Sequence, residues 1–141
     1  MKSHLKPSEC FASEIKPALH DYATAPNDER LANILASAID NHTEWSFRYY
    51  NEHDPSRLFG TKTPMEFRQK VFNTCANLRM MWDLNDGCKH RFLTRQGIPR
   101  TVTSSTAAYS IRNNELWVNG YDKPFLPAAN TAAEFWEKWP D

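Results

Sequence analysis

Glycine is scarce in this sequence, four residues in 141, and none of the four builds a phosphate-cradling loop ahead of a helix. A nucleotide cofactor is therefore not indicated. Cysteine is limited to Cys10, Cys75 and Cys88. Three thiols cannot all pair within one chain. Cys75 and Cys88 are expected on one continuous helix, roughly 20 Å apart, too far to bridge each other. Reduced thiols in a cytoplasmic setting are the simpler expectation. No Cys-x-x-Cys or His-x-x-x-His pair occurs, so no metal site and no cofactor is expected. No segment approaches the roughly eighteen apolar residues that span a bilayer. The stretch Met1 to Pro7 carries charge with no apolar run behind it, unlike a signal peptide. Charge of one sign is also missing: lysine plus arginine and aspartate plus glutamate stand at 17 each. The totals thus show no basic footprint for nucleic acid, although a neutral sum can hide a polarised surface. Repeats and low-complexity stretches are absent.

Apolar and aromatic residues are abundant, 40% and 13% of the chain, too much for a disordered protein. The length suits one domain, 1–141, with a core of its own. A helical pattern follows Ser8 through Phe11, Ile15 and Leu19, and Pro17 predicts a kink or two short pieces. Asn27 can cap a second helix, about 28–52, whose apolar stripe reads Leu31, Ile34, Leu35, Ala38, Ile39, His42, Trp45, Tyr49. Thr63-Pro64-Met65-Glu66 is a strong start for a third helix, about 64–91, with Phe67, Val71, Cys75, Leu78 and Trp82 inward. After Gly97 and Pro99 the residues Thr101 to Thr106 favour strand or loop. Tyr109 to Arg112 and Glu115 to Val118 flank Asn113-Asn114, a tight hairpin turn that pairs Ile111 with Leu116 and Arg112 with Glu115, with Ile111 and Leu116 inward. Beyond a loop with Pro124 and Pro127, Thr131 and Glu134 form a capping box for a closing helix carrying Phe135, Trp136 and Trp139. The fold class is mainly α: an antiparallel helical bundle, about 8–93, then a β-hairpin and a short closing helix, about 101–140.

Two segments could carry chemistry. Arg79, Asp83, Asp86 and His90 are spaced four, three and four, one helical stripe beside the apolar one, with Lys89 adjacent. Such a stripe builds either a site or ordinary helix salt bridges, Arg79 with Asp83 and Asp86 with His90. A divalent ion on Asp83, Asp86 and His90 would lack a fourth ligand. The second segment is Arg48-Tyr49-Tyr50-Asn51-Glu52-His53. Here the guanidinium can hold a phosphate while the imidazole moves a proton; equally, both can complement the negative end of their helix. His42 reads as a hydrogen-bonded core residue, Cys88 as a buried thiol, and Trp117, on the hairpin face opposite Ile111 and Leu116, as a candidate partner surface.

The long helices and the Arg48…His53 spacing resemble the HEPN superfamily, small helical bundles of which many are ribonucleases in toxin–antitoxin, CRISPR and phage-defence systems. Asp83-Leu84-Asn85-Asp86-Gly87-Cys88-Lys89-His90 also resembles an Asp…Asn…Lys-His helix signature of uncharacterised bacterial proteins ending in a Phe-Trp-rich helix, as Glu134 to Trp139 do here. Asn85 stands where that superfamily places its arginine, so the resemblance assigns the catalytic pair to Arg48 and His53, with His90 the alternative histidine. It implies a metal-independent ribonuclease or a degenerate relative, acting on RNA as a homodimer. The other class open to this sequence is a non-catalytic interaction module, an accessory or antitoxin-like protein partner that binds through a bundle face or the hairpin.

Overall fold

A computed structural model describes residues 5–89 and 108–139; His90, the Gly97–Pro99 break and Thr101 to Thr106 lie outside them. The chain is mainly helical. The first helical course starts at Pro7, one residue before Ser8. It runs as α1 (Pro7–Cys10), a π-helical turn over Phe11–Ile15, and α2 (Lys16–Thr24). Pro17 sits in the first turn of α2. The widened turn ahead of it takes up the backbone disruption that a ring without an N–H imposes, so the course continues without stopping.

Helix α3 (Glu29–His53) falls where the apolar spacing puts it. Its cap is Asp28, not Asn27: the Asp28 carboxylate accepts from the Leu31 N–H at 3.1 Å. The buried face is rotated from the expected stripe. It takes in Ala36, Asp40, Thr43, Ser46, Phe47 and Tyr50 and leaves Ile34 46% exposed. Small and polar residues form that face because helices pack on both sides of it; α3 touches every other α-helix.

A short 3-10 turn, Pro55–Leu58, leads to α4 (Pro64–Thr74). Thr63 caps it, its hydroxyl accepting from the Glu66 N–H at 3.1 Å. The expected single helix 64–91 is two helices. Cys75 is extended (φ −140°, ψ 99°), and α5 (Ala76–Lys89) starts afresh, the Leu78 N–H donating to the Cys75 carbonyl at 3.1 Å. Cys75 therefore lies in a break, and the shared-helix argument about Cys75 and Cys88 does not apply. Cys10 and Cys75 are free thiols.

Strands β1 (Tyr109–Arg112) and β2 (Glu115–Val118) pair in the expected register, Ile111 with Leu116 and Arg112 with Glu115. Asn113 and Asn114 turn the chain at φ 54° and 62°. Leu116 and Val118 are fully buried, whereas Ile111 is 60% exposed. It shares their face, but β1 is an edge strand and its tip overhangs the core. A third strand, β3 (Lys123–Pro124), pairs with β2, so the expected lone hairpin is a three-stranded antiparallel sheet. Helix α6 (Phe125–Glu137) begins directly after Pro124. Pro127 lies in its first turn, where its missing N–H costs nothing. The capping-box reading of Thr131 fails: this residue is inside the helix, its hydroxyl donating to the Pro127 carbonyl at 3.1 Å. Ala128, Ala129, Ala132 and Ala133 give α6 a small buried face, with Trp136 in the core and Phe135 and Trp139 packed against it. No helix among the described residues is long and apolar enough to cross a membrane.

Candidate functional site

Helix α5 is buried almost all round: residues 80–86 are buried without exception. Met80, Met81, Trp82 and Leu84 do the apolar part. Two members of the polar stripe expected at the border of the core are inside it, Asp83 at 0% and Asp86 at 5% exposure. A helix surrounded by others has no solvent face to give its polar residues, so each must be met by another element.

Those meetings form a polar knot where α3, α4 and α5 converge. The Asn85 amide donates to Asp40 Oδ2 at 2.9 Å. The Arg68 guanidinium donates to Asp40 Oδ1 at 3.3 Å. Burial pushes the Asp40 carboxyl above its ordinary value of 3.8; Arg68 and the Asn85 hydrogen bond act against that, and the nearby Asp86 adds to it. Arg68 Nε finds no hydrogen-bond partner among the described residues. A second link ties the sheet to α5, the Tyr121 hydroxyl donating to Asp83 Oδ2 at 3.1 Å. A third ties β1 to α3, the Tyr109 hydroxyl donating to Asn33 Oδ1 at 2.7 Å. Desolvation makes a buried ion pair a poor source of net stability, but its geometry selects one alignment of the helices. Asp40, Asn85 and Asp86 are all buried, and the knot holds the three helices in position. Sequence reading missed Asp40, Arg68 and Tyr121. The available signal was the spacing Ala36, Asp40, Thr43, Phe47, which puts the carboxylate on a buried row.

The other expected site residues are scattered. Arg48 is on the outer surface, its side chain 68% exposed and in an ion pair with Glu44 at 2.9 Å. His53 ends α3, its ring 4.4 Å from that of Tyr49 and its Nε2 3.8 Å from Glu52. Five residues of helix set the two side chains about 140° apart around the axis, and each engages different neighbours. Arg79 is half-buried on α5, Lys89 is the last residue of that helix, and His90 is outside the described residues. His42 is a core residue, its ring 4.9 Å from Trp136. Trp117 is half-buried under the Arg112 guanidinium, which stacks 4.5 Å above its ring. Its outward face is thus already covered.

One open surface among the described residues is the outer face of α3. Arg30, Asn33, Ile34, Ser37 and Ala38, with Glu14 of the π-helical turn, line a shallow depression of about 660 Å³. It adjoins a smaller hollow of about 190 Å³ between the π-helical turn and α3, lined by Cys10, Asn41, His42 and Trp45 among others. Among the described residues no three His, Cys, Asp or Glu side chains are arranged to hold a metal ion. Compared with protein-family models, with curated proteins and with solved structures, the chain matches none.

Proposed function

We propose that this chain is a non-catalytic protein-interaction module that docks through the outer face of α3. The observation that carries the reading is the open depression on that face, with Ile34, 46% exposed, in its lining. An isoleucine at that exposure, between the small side chains of Ser37 and Ala38 and the charged Arg30 and Glu14, suits a docking surface with an apolar centre and a polar rim. The chemistry-bearing residues support the same reading. Asp83 and Asp86 of the α5 stripe are turned into the core. Arg48 and His53 sit on separate sides of their helix, so one chain does not aim both at one phosphate. The test is incubation of purified protein with RNA, in excess chelator and with added magnesium, beside Arg48→Ala and His53→Ala. The expected result is no cleavage above that of the two variants. Cleavage by the wild type that both variants lose, with circular dichroism unchanged, overturns the module in favour of a metal-independent ribonuclease.

A further inference from the structure

The partner of the α3 face follows from the order of its residues. Arg30, Ile34, Ser37, Asn41, Glu44 and Arg48 recur in steps of four and three, and all are exposed or half-exposed. That is the spacing of a helix seam, though this one carries a single large apolar side chain. The seam carries opposite charges at equal distances from Ser37, because Arg30 lies seven residues before it and Glu44 seven residues after.

We infer that the partner is a second copy of this chain, its α3 laid antiparallel on the first across a two-fold axis at Ser37. In a two-fold contact, residue i meets j and j meets i. Antiparallel alignment at Ser37 brings Arg30 of each copy opposite Glu44 of the other, two ion pairs from one coincidence of sequence. Ile34 of each copy then falls over the small side chains of Ser37 and Ala38 and beside Asn41 of the other, where the depression gives it room. A parallel alignment sets Arg30 against Arg30 and Glu44 against Glu44, which like-charge repulsion disfavours. Arg30 makes no ion pair among the described residues, and Glu44 already pairs with Arg48 through one oxygen, leaving its other oxygen to receive a second guanidinium. The paired seam from Arg30 to Glu44 is about 21 Å long. One such helix pair covers less than the roughly 800 Å² per partner of a standard interface. Association is therefore weak and reversible, in the micromolar range, and falls with salt.

This inference rests on reading the α3 face as a docking surface, and its test fails separately from the RNA assay. Sedimentation equilibrium of the full chain should show twice the chain mass as concentration rises. Ile34→Arg should remove the dimer. Arg30→Glu and Glu44→Arg should each weaken association about tenfold, and the double variant should recover most of that loss, because the charges then meet again with signs exchanged. Circular dichroism confirms that each variant is folded. A chain that stays monomeric at all concentrations overturns the inference; if RNA also stays intact, the face serves a different protein. A dimer indifferent to Ile34→Arg places the interface elsewhere, and a charge swap without recovery rejects the Ser37-centred alignment.

Discussion

Asp40 is the residue on which three helices agree. Removing it strands the Arg68 guanidinium, whose side chain is only 11% exposed, without its counter-ion. Asp40→Ala should cost about 3–5 kcal/mol in urea unfolding; a loss below about 1 kcal/mol would mean that Arg68 swings out to water. Tyr22 sets a second expectation. Its hydroxyl donates to the Pro26 carbonyl at 2.6 Å, and burial, then the charge of Glu115, push its pKa from 10 up to about 12. A folded pKa above the unfolded one means the neutral phenol stabilises the fold. That contribution is complete below pH 10 and is lost as the pH rises to 12. Tyr22→Phe should be less stable at neutral pH, but its stability should decline less than the wild type's between pH 10 and 12. Tyr22 continues the apolar pattern of Phe11, Ile15 and Leu19, but Asp40 did not announce itself in the sequence. A lone aspartate after Ile39 looks like a solvated charge until the helices on both sides of α3 are known. The Arg79, Asp83, Asp86 spacing was legible as a stripe, but periodicity does not say whether a stripe meets water or another helix.

Elements were more legible than their edges. The hairpin could be read to the residue, because two consecutive asparagines tolerate positive φ and the pairs on either side match in kind. Replacing Asn113 and Asn114 by alanine forces Cβ-bearing residues without a helpful amide into the left-handed region, at about 1–2 kcal/mol each. Thermal unfolding should register the loss, and Asn114→Gly should be neutral or stabilising. An unchanged Tm in the double alanine variant would argue that the turn had been remade with a different register. β3 escaped notice because two residues, one of them proline, carry no strand pattern. The break at Cys75 was hidden for a related reason: Thr74-Cys75-Ala76 contains no glycine or proline, and the apolar spacing runs on across it. The fresh start at Ala76 is a consequence of packing that α5 against α3, a tertiary demand that no local signal records. Much the same holds for α3, where the helix was plain and only the rotation of its buried face was not.

At the scale of the molecule, α5 is the central beam, and Trp82 is its largest buried side chain, 3% exposed with its ring 6.0 Å from that of Phe72. Trp82→Ala should cost about 3–5 kcal/mol by chemical denaturation; a change under about 1 kcal/mol would require the helix to have shifted to fill the space. The bundle as a class was legible because helix starts and three-four spacings are strong signals. The candidate site was not, because it is made by residues that meet only across elements. The knot on Asp40 has one more consequence, for a chain still being made. Its partners lie 28 and 45 residues further along, so α3 leaves the ribosome with a carboxylate on the face it must later bury. When α4 has followed, Arg68 can reach that carboxylate, but Asn85 and the apolar sides of α5 are still missing. The first helical course is already in place on α3, but the face that α5 will cover is still open, and a polypeptide stopped at Thr74 should show much less helical circular dichroism than the same residues do in the whole chain. Translation must deliver α5 before α4 and the Asp40 face of α3 gain their full burial, which makes this part of the nascent protein commit late.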